Sequence, residues 1–163
     1  MPKNILILCS GNSCRSILAE AILNKLGAGR FATFSAGSQP KGTVNPHALQ
    51  LLKNLNYDTT HFCSKSWDEF TGPLAPQLDI VITVCGNATA ETCPVWIGAP
   101  VQTHWGIDDP ADAQGTDAEI QAAFQLAYDR LHQRITDFLK LPIESMSAAD
   151  LKLTLDQIGR DGI

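Results

Sequence analysis

Two short apolar runs constrain the fold of this chain more than any other feature. Residues 4–9 read NILILC and residues 79–85 read DIVITVC, and neither run alternates with polar side chains in the way a half-exposed strand would. An apolar run of this length is typical of a central strand that is buried on both faces. Each run ends in a cysteine, Cys9 or Cys85. We therefore expect both cysteines at the carboxyl edge of one parallel sheet, where α/β proteins form their sites.

Helix signals separate the predicted strands. Ile17 to Leu26 repeat at helical spacing, Asn45 and Pro46 are a typical helix cap and first residue, and Thr116 with Glu119 forms a capping box before the longest apolar repeat. Shorter strands are predicted at residues 31–35 and 100–105, and a final helix after residue 147. Strands that alternate with helices predict an α/β domain with a parallel sheet.

Composition excludes several classes of function. The chain has 163 residues, enough for one buried core, and its net charge is −5 without any basic tract, so we expect no nucleic-acid partner. No apolar stretch approaches the roughly 20 residues that span a bilayer, and the N-terminus does not read as a signal peptide. We therefore expect a cytoplasmic protein with no membrane partner. In a reducing compartment, its five cysteines are more often catalytic, metal-binding or inert than disulfide-bonded.

The segment CSGNSCRS, residues 9–16, predicts an oxyanion cradle between a strand and a helix, and we call it the 9–16 loop. Unpaired N–H groups and the helix dipole at a helix N-terminus favour a tetrahedral anion. Gly11 would let the backbone curl, and the planar fork of Arg15 suits two oxyanion oxygens. The same field would lower the pKa of Cys9 and make it a thiolate nucleophile.

The remaining side chains of the loop have expected supporting roles. Asn12 would hold the loop conformation, and Ser16 would donate a hydrogen bond to the Cys9 thiolate. The predicted oxyanion-binding residues are Ser10, Gly11, Asn12, Ser13, Cys14, Arg15 and Ser16. We interpret Cys14 as a small packing residue and Cys63 as a bystander. A zinc site built on Cys9, Cys14, Cys85 and Cys93 is disfavoured because structural zinc prefers closer cysteine pairs.

These motifs resemble those of the low-molecular-weight protein tyrosine phosphatase superfamily. The 9–16 loop is similar to its phosphate-binding loop, and WGIDDP at residues 105–110 is similar to a second signature in which an aspartate before proline is the general acid. The resemblance implies a three-layer α/β/α fold with a four-stranded parallel sheet, and it assigns the acid role to Asp109. Ser13 and Ala111 depart from the phosphatase pattern toward the arsenate reductases of the same fold.

A second resemblance also favours the arsenate reductases over the phosphatases. VITVCGNATAETCPVW, which contains Cys85 and Cys93, is similar to the redox segment of the thioredoxin-coupled arsenate reductases. The resemblance implies that Cys9 attacks arsenate, that Cys85 and then Cys93 take over the disulfide, and that a thiol donor reduces it. The segment between the two cysteines is one residue longer than in the best-known members. Thioredoxin and glutaredoxin with glutathione therefore both stay open as reductants.

Two other classes of function also stay open at the level of sequence. The alternative enzyme is a phosphatase that hydrolyses phosphomonoesters through Cys9, Arg15 and Asp109. The alternative outside catalysis is an oxyanion-binding or redox-sensing module.

In some relatives of the superfamily a potassium ion lies beside the loop. Asn12, Glu20 and Ser35 match three of its ligands, but Lys65 is in the fourth position and would pair with Glu20.

We therefore expect neither a metal nor another cofactor. The predicted division of the chain is a reductase domain at residues 1–141 and a helical extension at residues 142–163. A monomer is expected.

Overall fold

A computed structural model describes residues 2–85, 96 and 98–160. Its four strands are β1 (Lys3–Leu8), β2 (Phe31–Ala36), β3 (Ile80–Cys85) and β4 (Val101–Ile107). They form one parallel sheet in the order β2-β1-β3-β4. The main helices are α1 (Arg15–Leu26), α2 (Pro46–Asn54), α3 (Asp117–Leu139) and α4 (Ala148–Arg160), with short 3-10 helices at Trp67–Phe70 and Pro110–Asp112. The α/β class with a four-stranded parallel sheet is confirmed.

The apolar runs lack alternation because both faces of the sheet are covered. In β1, Ile5 and Ile7 belong to a large core with residues of all four α-helices, whereas Leu6 and Leu8 belong to a smaller core that includes Phe70 and Trp96. Successive side chains of a strand point to opposite faces, so each face receives every second residue. Because the side chains on both faces are buried, the strand lacks the alternating polar residues of a strand with one face exposed to solvent.

The predicted helix caps are present. Asn45 accepts a hydrogen bond from His47 N through its side chain, with Pro46 as the first residue of α2. Thr116 and Glu119 form a reciprocal capping box at the start of α3, the longest of the four helices. No helix in the described ranges is long and apolar enough to cross a membrane.

The last strand is longer than predicted. We expected residues 100–105, but β4 continues to Ile107 because its pairing with β3 resumes after a register shift between Thr83 and Cys85. The shift sets Cys85 opposite Ile107. The end of β4 thus reaches the carboxyl edge of the sheet, two residues before the predicted acid, Asp109.

The C-terminal segment 142–163 contains α4, which packs against β4. Trp105 Nε1 donates to the Leu155 carbonyl over 2.9 Å, and Thr103 Oγ1 donates to Asp156 Oδ1 over 2.7 Å. Leu151, Leu155 and Ile158 lie in the same core as Trp105. α4 therefore supports the strand that leads into the site.

Candidate active site

The 9–16 loop follows β1 and leads directly into α1, as the sequence predicted. Cys9 is buried, with 6% of its surface exposed, and its N–H donates to the Ala36 carbonyl of β2. The loop borders an open cavity of about 350 Å³, a volume in the range of small-ligand sites. The cavity is lined by Cys9, Ser10, Gly11, Ser13, Cys14, Arg15, Lys41, Ile107, Asp108, Asp109 and Asp112.

Asn12 holds the loop from inside the protein. Its side chain is fully buried, and its Nδ2 donates to Ser16 Oγ over 2.8 Å and to Ser35 Oγ over 2.9 Å. Its Oδ1 accepts the backbone N–H of Lys65 over 2.8 Å. The backbone of Asn12 is in the left-handed region, at φ 43°. Asparagine tolerates this conformation, and the three hydrogen bonds keep it there.

Glu20 continues this buried network. Ser35 Oγ donates to Glu20 Oε1 over 2.6 Å. Burial raises the pKa of Glu20, while the Ser35 hydrogen bond and the charge of Lys65 oppose the shift. The Lys65 ammonium lies beside Cys63, 3.4 Å from its carbonyl oxygen and 3.8 Å from its Sγ. It forms no close ion pair with Glu20 in the part of the chain that is described, contrary to the expected pairing. Lys65 instead supports the loop through its backbone.

Gly37 is a structural residue of the site that the sequence analysis missed. A Cβ at this position would lie 2.4 Å from Ser10 O, 2.7 Å from Cys9 O and 3.0 Å from Asn12 N. Only a residue without a side chain allows the segment after β2 to pass this close to the 9–16 loop. The available signal was a glycine two positions after Ser35, the last residue of a predicted strand, which was already assigned to the site.

Arg15 and Asp109 are brought together across the cavity. Arg15 Nη1 donates to the Ile107 carbonyl over 3.0 Å, and Nη2 lies 3.3 Å from Asp109 Oδ2. Arg15 Nε is buried and has no hydrogen-bond partner among the described residues. A buried N–H without a partner is costly, so the guanidinium retains a donor for an anion.

Asp109 is the better placed of the two neighbouring aspartates for acid catalysis. Its Oδ1 accepts the Ala111 N–H over 3.0 Å and caps the Pro110–Asp112 turn, which fixes the carboxylate over the cavity. The Asp108 side chain is fully exposed and approaches Arg130 at 3.9 Å. The geometry therefore favours Asp109, the residue that the sequence singled out.

Two of the thiols do not resemble nucleophiles. Burial, together with the charge of Asp109, raises the pKa of the Cys14 thiol to about 12, so Cys14 stays protonated at neutral pH. Cys63 is exposed and is not among the residues that line the cavity. These placements are consistent with the interpretation of Cys14 as a packing residue and of Cys63 as a bystander.

Of the second cysteine pair, the structure describes the backbone of Cys85 alone. Cys85 ends β3, the strand beside β1, and Leu8 is paired with Thr83 in the register of these two strands. The backbone of Cys85 therefore lies at the same sheet edge as Cys9. Cys93 lies outside the described residues, and its redox role stays a prediction.

Arg134 is a second residue that the sequence analysis missed. It is 3% exposed and its Nη1 donates to the carbonyls of Trp105, over 2.7 Å, and Gly106, over 3.2 Å. Together with Arg15 on Ile107, two arginines bind three successive carbonyls at the end of β4. An arginine within the apolar repeat of α3 carried no signal of this contact.

Comparison with known proteins agrees with this fold. The model of the low molecular weight phosphotyrosine protein phosphatase family matches residues 4–153, so the chain belongs to that family. Within the family its similar relatives include proteins named arsenate reductase. The one from Halalkalibacterium halodurans is 39% identical over 136 residues, which cover 83% of this chain and 94% of the relative. The one from Bacillus subtilis is 37% identical over the same shares.

A solved structure supports the same assignment of fold. It is described as an arsenate reductase in the phosphate binding state, and it matches with a TM-score of 0.64 at 26% identity. The match covers 83% of this chain and 98% of that one. The four-stranded sheet and its helices thus have a counterpart in a protein that binds a tetrahedral oxyanion.

Proposed function

We propose that this chain is an arsenate reductase that converts arsenate to arsenite through Cys9, Cys85 and Cys93. The observation that carries the proposal is the meeting of three groups around one cavity: the buried Cys9, the Arg15 guanidinium and the Asp109 carboxylate. Relatives at 37–39% identity that bear the name arsenate reductase support it.

In the first step, the Cys9 thiolate attacks the arsenic atom of arsenate. Arg15 and the N–H groups of the 9–16 loop stabilise the negative charge on the oxyanion oxygens. Asp109 gives a proton to the departing oxygen, which leaves as water. The Ser16 hydroxyl, whose oxygen accepts Asn12 Nδ2, retains its proton for donation to the Cys9 sulfur. The product of this step is a Cys9 thiol ester of arsenate.

In the second step, the Cys85 thiolate attacks the Cys9 sulfur. The electron pair of the sulfur–arsenic bond passes to arsenic, arsenite leaves, and a Cys9–Cys85 disulfide forms. Because Leu8 pairs with Thr83, Cys9 and Cys85 are offset by one position on neighbouring strands. A strand spacing of about 4.8 Å and a rise of about 3.3 Å put such Cα atoms roughly 6 Å apart, within the usual disulfide range of about 4.4–6.8 Å. Cys93 then attacks Cys85 and releases Cys9. An external thiol donor, thioredoxin or glutaredoxin with glutathione, reduces the Cys85–Cys93 disulfide.

The competing function is hydrolysis of a phosphomonoester, which would use Cys9, Arg15 and Asp109 in the same way up to the covalent intermediate. None of the described residues that line the cavity is aromatic. An aryl phosphate would therefore find little apolar surface for its ring, whereas a free oxyanion needs none. This composition favours arsenate over a phosphotyrosine substrate.

Cysteine variants test the relay. We expect arsenate-dependent oxidation of thioredoxin by the wild-type protein, its loss in Cys85→Ser, and a Cys9–Cys85 disulfide in the mass spectrum of arsenate-treated Cys93→Ser. Cys63→Ser, which removes an exposed thiol away from the cavity, is the matched control and should keep full activity. Arsenate turnover by Cys85→Ser would refute the relay. Rapid hydrolysis of an aryl phosphate without arsenate turnover would establish the phosphatase instead.

A further inference from the structure

Lys41 lies beside the 9–16 loop, although no sequence motif assigned it to the site. Its backbone N–H donates to the Gly11 carbonyl over 3.0 Å, and Gln39 N donates to the Ser10 carbonyl over 2.9 Å. The segment after β2 is thus hydrogen-bonded along the outer side of the loop. This backbone pairing fixes where the Lys41 side chain begins.

The Lys41 side chain extends across the exposed face of Gly11. A Cβ added to Gly11 would lie 3.3 Å from Lys41 Cγ, 3.4 Å from Cδ and 3.2 Å from Cε. Because these distances are nearly equal, the Lys41 side chain packs lengthwise against Gly11. Lys41 also lines the cavity that contains Cys9 and Arg15, so this side chain lies at the edge of the same cavity.

The charges around the cavity show what Lys41 contributes. Three carboxylates line it, those of Asp108, Asp109 and Asp112, and the cations among its described lining residues are Arg15 and Lys41. Arg15 already lies 3.3 Å from Asp109, which offsets part of its charge. With a chain net charge of −5, long-range attraction of an anion is also weak. A second cation at the cavity would therefore strengthen the binding of a multiply charged inorganic oxyanion, beyond what Arg15 and the loop N–H groups provide.

We propose that Lys41 is a substrate-binding residue that contributes this second cation and selects free inorganic oxyanions over phosphoesters. Lys41 is exposed whereas Cys9 is buried, so in this proposal the ammonium contacts the oxyanion from the open side of the cavity, near the oxygen opposite the nucleophile. In a free oxyanion such an oxygen carries charge or a hydroxyl group, and it accepts a hydrogen bond from the ammonium. In a phosphomonoester the oxygen opposite the nucleophile is bonded to the organic group and carries neither a charge nor a hydroxyl hydrogen. The inference rests on the proposed function, and it names the substrate class of the same cavity.

The test compares Lys41→Gln and Lys41→Arg with Lys53→Gln, a control that removes an exposed lysine from the last turn of α2. One readout is the KM and kcat for arsenate. The other needs no turnover: it is the protection of Cys9 from iodoacetamide by inorganic phosphate or by phenyl phosphate. For Lys41→Gln we expect the KM for arsenate and the half-protecting phosphate concentration to rise about threefold to fivefold, as for loss of one exposed ion pair.

Control variants, a second ligand and high salt distinguish a direct contact of Lys41 with the oxyanion from a general effect of removing a surface charge. Lys41→Arg should stay close to wild type, Lys53→Gln should be unchanged, and protection by phenyl phosphate should depend on Lys41 less than protection by phosphate does. The difference should shrink in 1 M salt, where the screening length falls to about 3 Å. Unchanged phosphate protection in Lys41→Gln would overturn the inference, and so would an equal loss for both ligands. If protection depends on Lys41 but arsenate is never reduced, the proposed function fails while the oxyanion contact stands.

Discussion

Replacement of Gly37 by alanine is predicted to damage the site more than its size suggests. The new Cβ would lie 2.4 Å from Ser10 O, whereas ordinary carbon–oxygen contacts begin near 3.4 Å, so one of the two groups must move by roughly 1 Å. Gly37 is not free to retreat. Its N–H donates to Lys65 O over 2.9 Å, and its carbonyl accepts Trp67 N over 2.9 Å. The displacement therefore falls on the 9–16 loop.

The expected size of the effect follows from that displacement. Forcing one extra carbon into a packed site usually lowers the free energy of unfolding by about 1–3 kcal/mol. A displacement of roughly 1 Å in a catalytic loop can lower activity about 100-fold. We therefore expect Gly37→Ala to lose about 2 kcal/mol of stability, and to lose most of its kcat/KM for arsenate.

Urea unfolding and steady-state kinetics measure the two parts separately, and the iodoacetamide rate of Cys9 reports whether the loop still activates the thiol. Gly72→Ala is the matched control, because a Cβ at Gly72 meets nothing within 4 Å. It should behave as wild type in all three assays. Wild-type stability together with wild-type kcat/KM in Gly37→Ala would show that the close approach does not shape the loop.

Three further outcomes are expected. Asp109→Asn should lower the kcat for arsenate about 100-fold or more while phosphate still protects Cys9, because the acid is lost and Arg15 is kept; an unchanged kcat would exclude Asp109 as the acid. Arg134→Met should lower the urea-derived free energy of unfolding by about 2 kcal/mol, because the carbonyls of Trp105 and Gly106 lose a buried donor; equal stability would contradict this. Glu20→Gln should gain stability relative to wild type as pH rises above 4.5, since a carboxyl whose folded pKa is raised loses its contribution as pH rises through that pKa. A pH-independent difference between Glu20→Gln and wild type would mean that burial does not perturb Glu20.

The fold was predictable because its strands and caps leave local signals. The apolar runs NILILC and DIVITVC predicted β1 and β3, whose side chains Ile5 to Leu8 and Ile80 to Ile82 are divided between cores on the two faces of the sheet, and the Thr116–Glu119 capping box marks the start of α3. Cys9 and Arg15 were predictable for the same reason, because a strand, a short loop and a helix start lie consecutively in the chain.

What the sequence did not reveal depends on contacts between distant segments. Position 37 needs glycine because any Cβ there would clash with backbone atoms near residue 10. Arg134 donates hydrogen bonds to two backbone carbonyls about 28 positions earlier in the chain. Lys65 was expected to act through its charge, yet its backbone N–H is what reaches Asn12. Spacing along the chain contains no record of such contacts, since they arise only when the sheet brings the segments together.

The hydrogen bond between Asn12 and the backbone of Lys65 has a consequence for how the protein folds. It joins positions 53 apart, and Gly37, which the loop also needs, is bonded to the same residue. Bringing together residues that are far apart in the chain costs conformational entropy before any contact forms. The 9–16 loop therefore reaches its final conformation only after β2 and the segment near residue 65 have docked. During refolding, recovery of phosphate protection at Cys9 should therefore lag behind recovery of helical circular dichroism. Cys9 would therefore become reactive only after β1 and α1, the strand and helix that flank its loop, have formed.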